Sequence, residues 1–136
     1  MQIAIYGRKI SKQNLKSFYY VFGLIQSFSW DLMIEEDLAN SVAQKGKMDF
    51  TYNTFNSHKD LKSGVDLVIS MGGDGTFLKC VSYIKDSGVP IMGINIGRLG
   101  FLANVSLDQI SEAFHDIKAK KYVFQKRSLL KVEVEG

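Results

Sequence analysis

At 136 residues the chain has room for one domain, which would bury roughly two-thirds of the surface its unfolded form exposes. An apolar share of 46% and a charged share of 23% describe an ordinary soluble globular protein, and 17 basic against 14 acidic side chains (+3) is too small a surplus to argue for nucleic acid as a partner. A single cysteine, Cys80, excludes an internal disulfide and fits a reducing compartment. With no signal peptide ahead of Met1-Gln2-Ile3-Ala4-Ile5 and no run approaching 18 apolar residues, a cytoplasmic protein without membrane contact is expected.

Gln2 to Tyr6 reads as a first strand ending at Gly7. Ser11 is placed to cap a helix over 12–27, with Leu15, Phe18, Tyr19, Phe22 and Ile25 as its apolar stripe. Aromatics at that spacing suit core packing better than a ligand box. Trp30 to Ile34 reads as a second strand. The carboxylates of Glu35, Glu36 and Asp37 then fit a solvated helix start better than a metal site, because acids favour the first turn and Leu38 and Val42 continue the helical period. Lys45-Gly46-Lys47 makes a turn. Residues 48–63 are the least legible stretch and read as a loop or irregular strand, with His58 as a surface histidine.

The segment from Asp66 to Ile84 carries most of the chemistry. Leu67-Val68-Ile69 is a short β-branched run typical of a buried strand. Gly72-Gly73-Asp74-Gly75-Thr76 follows, and then Phe77, Leu78, Val81 and Ile84 recur at helical spacing. Strand, glycine turn and helix together aim backbone N–H groups at an anion, usually a phosphate. Asp-Gly is also a hairpin signal, but the residues after it keep the helical period and not the alternation of a strand. Asp74 or Thr76 can cap the helix in either reading. No Gly-Lys-Ser/Thr closes the loop, which disfavours Walker-type chemistry. A carboxylate inside a phosphate-type turn suggests a base, a metal ligand or a hydroxyl acceptor.

Asp86-Ser87-Gly88 closes the helix, and Val89-Pro90 enters a strand over Ile91 to Ile94. A second glycine-rich turn runs from Gly93 to Leu102, reading Gly-Ile-Asn-Ile-Gly-Arg-Leu-Gly-Phe-Leu. Arg98 offers a planar fork of donors for a phosphate, and Phe101 an aromatic face for a base. The plainer alternative is a structural loop with Leu99 and Phe101 plugging the core. In a parallel sheet both turns would leave the carboxyl ends of their strands and lie on one edge, where a single ligand could touch both. Ser106 or Asp108 opens an amphipathic helix with Ile110, Phe114 and Ile117 inward and His115 outward. Residues 122–136 turn to strand alternation.

The Gly72–Thr76 turn with Phe77-Leu78 behind it resembles the signature of NAD kinases, shared more loosely with diacylglycerol and sphingosine kinases and distantly with phosphofructokinases. The block from Gly93 to Leu102 is similar to a second NAD kinase block that the lipid kinases lack in this form. Arg127 with Leu130 resembles the family's element at the entrance to a second domain. This resemblance implies an α/β fold, a doubly wound and mostly parallel sheet with flanking helices, Rossmann-like or phosphofructokinase-like. It implies a nucleotide-binding domain over 1–125 and, over 126–136, the first strand of a β-rich domain that this sequence does not continue into. The expectation is therefore the amino-terminal half of a longer protein.

The activity implied is phosphoryl transfer from ATP or polyphosphate to the 2′-hydroxyl of the adenosine ribose of NAD, with Mg²⁺ as the divalent ion and no separate ligand cluster for it. Asp74 would be the catalytic carboxylate. Gly72, Gly73, Asp74, Gly75, Thr76, Leu78, Lys79, Asn95, Arg98 and Phe101 would bind the substrate and cofactor. Family members are usually homo-oligomers, and the fragment by itself would be inactive. The competing expectations are a lipid kinase using the same loop on a different acceptor, and a non-catalytic nucleotide-binding regulatory domain.

Overall fold

A computed structural model of the chain describes residues 1–8, 10–61, 64–97, 100–103 and 105–121. Among these residues six strands form one sheet: β1 (Gln2–Gly7), β2 (Asp31–Glu35), β3 (Asn53–Phe55), β4 (Leu67–Gly72), β5 (Ile91–Asn95) and β6 (Val105–Ser106). The helices are α1 (Leu15–Ser27), α2 (Glu36–Lys45), the single turn α3 (His58–Leu61), α4 (Asp74–Ile84) and α5 (Ile110–Lys118). The strand order is β3-β2-β1-β4-β5-β6 and every pairing is parallel. That is the doubly wound arrangement, in which the order reverses between β1 and β4.

Both faces of the sheet are covered, so the central strands are apolar on both sides. Odd positions of β1 and β4 (Ile3, Ile5, Leu67, Ile69, Met71) join Phe18, Phe22 and Ile25 of α1, Leu38 and Val42 of α2, and Ile110 and Phe114 of α5 in the larger core. Even positions (Ala4, Tyr6, Val68) pack with Leu61 of α3 and Cys80 and Ile84 of α4. Fully burying each such aliphatic or aromatic side chain contributes about 1.5–3 kcal/mol. Phe28, Trp30 and Phe114 stack in one aromatic group, with the exposed His115 ring edge-on to Phe28.

Several local expectations are corrected. Helix α1 begins at Leu15 because Ser11 and Asn14 satisfy each other in the preceding turn: Ser11 N donates to Asn14 Oδ1 (2.9 Å) and Asn14 N to Ser11 Oγ (3.3 Å). Glu35 is not solvated. It is 4% exposed and caps α2, accepting from Asp37 N (3.2 Å) and Leu38 N (2.9 Å), while Glu36 and Asp37 do face solvent. Within 48–63, Phe50 packs on Tyr19 and Phe22, β3 adds an edge strand beside β2, and α3 follows. His58 is half-buried. Its Nδ1 lies 2.7 Å from the Tyr83 carbonyl oxygen, which can only accept, so Nδ1 carries the proton.

Neither Asp74 nor Thr76 is the N-cap of α4. Gly73 holds that position, and Asp74 is the first helical residue. A 3₁₀ turn, Leu107–Gln109, precedes α5, and Gln109 Oε1 accepts from Ser106 N (3.1 Å). The alternating stretch over 122–136, with Arg127 and Leu130, lies outside the described residues.

Candidate nucleotide site

Strands β4 and β5 run side by side in the same direction, with Gly72 opposite Asn95. Both glycine-rich turns therefore leave the same edge of the sheet. Beside them, a cleft of about 600 Å³ opens between the turn before α1 (Ser11, Asn14) with Ser17 of α1, the Gly72-Gly73 turn, and Asn95 to Gly97. Its walls come from the segment that follows β1 and from the ends of β4 and β5, so it sits where the strand order reverses, the usual ligand position in such sheets.

The glycines of the first turn are not equivalent. A Cβ at Gly72 would lie 2.5 Å from Thr76 Oγ1 and 2.8 Å from its Cβ, so the bare backbone there is a steric requirement set by the first turn of α4. A Cβ at Gly73 meets nothing within 4 Å. At Gly75 the nearest atom would be Arg8 Nη2 at 3.7 Å, which places an exposed guanidinium beside the turn. Thr76 is buried against Gly72 and helps shape the turn from beneath. Among the described residues, Leu78 (62% exposed) and Phe101 (93% exposed) are the large apolar side chains left uncovered near the turns, and Lys79 is exposed on α4.

The Asp74 carboxylate bridges the two turns. Its Oδ1 accepts from Leu102 N (2.9 Å) and Ala103 N (3.0 Å), and its Oδ2 from Phe101 N (3.1 Å). The amides of Ala103 and then Leu102 hold this carboxyl below the usual carboxylate range. Asn95, 5% exposed, ties the same loop from below: its Nδ2 donates to the Ala103 carbonyl (3.2 Å) and its Oδ1 accepts from Gly97 N (2.7 Å). Asn95 therefore lines the cleft with an amide already engaged on both ends.

The structure thus brings together Gly72, Gly73, Asp74, Gly75, Asn95 and Phe101, with Thr76 below and Leu78 and Lys79 on the outer surface of α4. Arg98 lies outside the described residues. The sequence reading missed Ser11, Asn14 and Ser17 on the cleft wall and Arg8 over Gly75. The available signal was Gly7, which ends a strand central to the sheet and so delivers its following loop to the same edge. Among the described residues no three His, Cys, Asp or Glu side chains gather into a set that could hold a metal.

Comparison with known proteins agrees with this geometry. The family model described as ATP-NAD kinase N-terminal domain matches residues 3–122. The chain is 37% identical over 133 residues to an NAD kinase of Flavobacterium psychrophilum, covering 98% of this chain and 45% of the relative. It is 35% identical over 135 residues to that of Flavobacterium johnsoniae, covering 99% and 46%. The chain thus spans about half the length of the curated relatives it matches. Among solved structures, yeast NADH kinase complexed with NADH superposes with a TM-score of 0.69 at 20% identity, and an Archaeoglobus fulgidus NAD kinase in complex with ATP with 0.57 at 23%. Each of these alignments covers 89% of this chain and 38% of the other, and at such identities they speak for the fold alone. With two glycine-rich turns joined by one carboxylate at the switch point of a doubly wound sheet, and a family match across nearly the whole length, the chain belongs to the ATP-NAD kinase family and carries its N-terminal domain.

Proposed function

We propose that the protein to which this domain belongs transfers the terminal phosphoryl group of ATP, or of polyphosphate, to the 2′-hydroxyl of the adenosine ribose of NAD, yielding NADP. The observation that supports this best is the Asp74 carboxylate standing where the two bare-backbone turns meet, on the rim beside the 600 Å³ cleft. The ribose oxygen forms the new bond to phosphorus as the bond to the ADP leaving oxygen breaks, and the hydroxyl proton departs toward a carboxylate. Such transfer depends chiefly on alignment and charge stabilisation.

In this reading Asp74 accepts the hydrogen bond of the attacking hydroxyl. Backbone N–H groups around Gly72, Gly73 and Gly75 face the phosphates, with Thr76 fixing the turn. Lys79 and Arg98 supply positive charge, Leu78 and Phe101 wall the nucleotide, and Asn95 holds the second loop at the cleft. Mg²⁺, when bound, would screen the phosphate charge. The protein works in the cytoplasm as a homo-oligomer, and this chain alone is inactive because the remainder of its relatives' length completes the site.

The test is ATP-dependent conversion of NAD to NADP by the full-length protein, in wild-type and Asp74→Asn forms. The expected result is turnover in the first and a loss of at least a hundredfold in kcat in the second, with folding retained. No NADP from the wild-type protein with any phosphoryl donor would refute the assignment.

A further inference from the structure

The Asp74 carboxylate is more fully engaged than proton acceptance requires. A carboxylate has about four acceptor positions. Three are filled by successive amides of one loop, Phe101, Leu102 and Ala103, which lie 27, 28 and 29 residues away in sequence. Consecutive N–H groups turned toward a single anion form a concave nest. Gly100 lets the carboxylate approach: a Cβ there would sit 2.7 Å from Asp74 Cγ and 2.8 Å from Oδ2, closer than any real side chain tolerates. The loop closes on itself through Gly100 N donating to the Ala103 carbonyl (3.2 Å). Phe101, being 93% exposed, contributes almost no packing of its own to hold this shape.

We infer that Asp74 is a clasp that fixes the conformation of the Gly100–Ala103 loop against the first glycine turn; among the described residues one acceptor position, on Oδ2, has no partner and is open to a ligand hydroxyl. Asp74 is then a positioning residue for the loop that presents Phe101, and the hydroxyl must approach from the Oδ2 side. The clasp stands on the hydrogen bonds alone; the role of the open position rests on the phosphoryl-transfer reading above.

Two variants break the clasp by different routes. Asp74→Asn replaces an accepting oxygen with an NH₂ group that confronts N–H donors. Gly100→Ala keeps the carboxylate and pushes it away from the nest. Amide hydrogen exchange on the full-length protein is the readout, with the amides of β1 and β4 as the internal control for folding. The expected result is at least tenfold faster exchange at Phe101, Leu102 and Ala103 in both variants, with β1 and β4 unchanged. Gly100→Ala should also raise the KM for NAD several-fold. Unchanged protection of the three amides in both variants would overturn the clasp, whatever the activity. Faster exchange together with wild-type KM and kcat in Gly100→Ala would overturn its positioning role. Faster exchange in both variants of a protein that makes no NADP would support the clasp and refute the phosphoryl-transfer reading, so the two failures are distinguishable.

Discussion

Gly93→Ala tests how tightly the fold and the site are joined. Gly93 lies inside β5 opposite Ser70, and a Cβ there would come 2.7 Å from Ala103 Cα and 2.9 Å from Phe77 Cδ2. The first distance is roughly 0.8 Å inside ordinary carbon–carbon contact at about 3.5 Å, and the Ala103 atom belongs to backbone that cannot rotate away. Ala103 is held in place by three interactions: its N–H on Asp74 Oδ1, and its carbonyl accepting from Asn95 Nδ2 and from Gly100 N. Phe77 is 8% exposed and has little room to retreat. Overpacking of this kind costs about 1–3 kcal/mol. Urea denaturation should show a lower midpoint at unchanged slope, and amide exchange at Leu102 and Ala103 should rise with it. Stability within about 0.5 kcal/mol of wild type, with those two amides still protected, would show that β5 and the second loop are not packed as described.

Further outcomes follow from individual groups. Phe101→Ala should leave stability within about 0.5 kcal/mol of wild type, as expected for an exposed side chain, yet weaken nucleotide binding by a few-fold to tenfold through a lost aromatic contact of about 0.5–1.5 kcal/mol; isothermal titration with NAD separates the two effects. Phe114→Ala should cost about 3–5 kcal/mol in denaturant unfolding, because the ring is fully buried beneath Phe28 and Trp30. The carboxyl of Asp74 is held low by the amides of Ala103 and Leu102, so the clasp is at full strength above the ordinary carboxylate value and is lost only as pH falls through the lowered one. Loop amide exchange corrected for its intrinsic pH dependence should accordingly stay slow down to the ordinary carboxylate value and rise only as pH falls toward the lowered one. The Tyr83 phenol is pushed up to about 12 by burial and by Glu35, so its folding contribution should fall as pH rises from about 10 to about 12, detectable as a late step in tyrosinate absorbance. Burial likewise pushes the Cys80 thiol up to about 12, and native protein should resist thiol reagents that label it once unfolded.

The local sequence determined a good deal of this protein. β-Branched runs at Ile3–Ile5 and Leu67–Ile69 specify strands buried on both faces. The switch from those runs to helical spacing after Gly75 specifies a turn that exposes backbone amides, because that signal lies within a dozen neighbouring residues. What only the tertiary structure decided depended on partners far along the chain. β3 is three residues long and is a strand only because β2 lies beside it. Glu35 is buried because the cap it supplies to α2 compensates its removal from water. The walls at Ser11 and Asn14 join the cleft because β1 sits next to β4. The same holds for Asp74, whose three amide donors lie 27 to 29 residues away: its position in the motif marks a carboxylate in a glycine turn, but only the parallel pairing of β4 with β5 brings those donors within 3.1 Å of it.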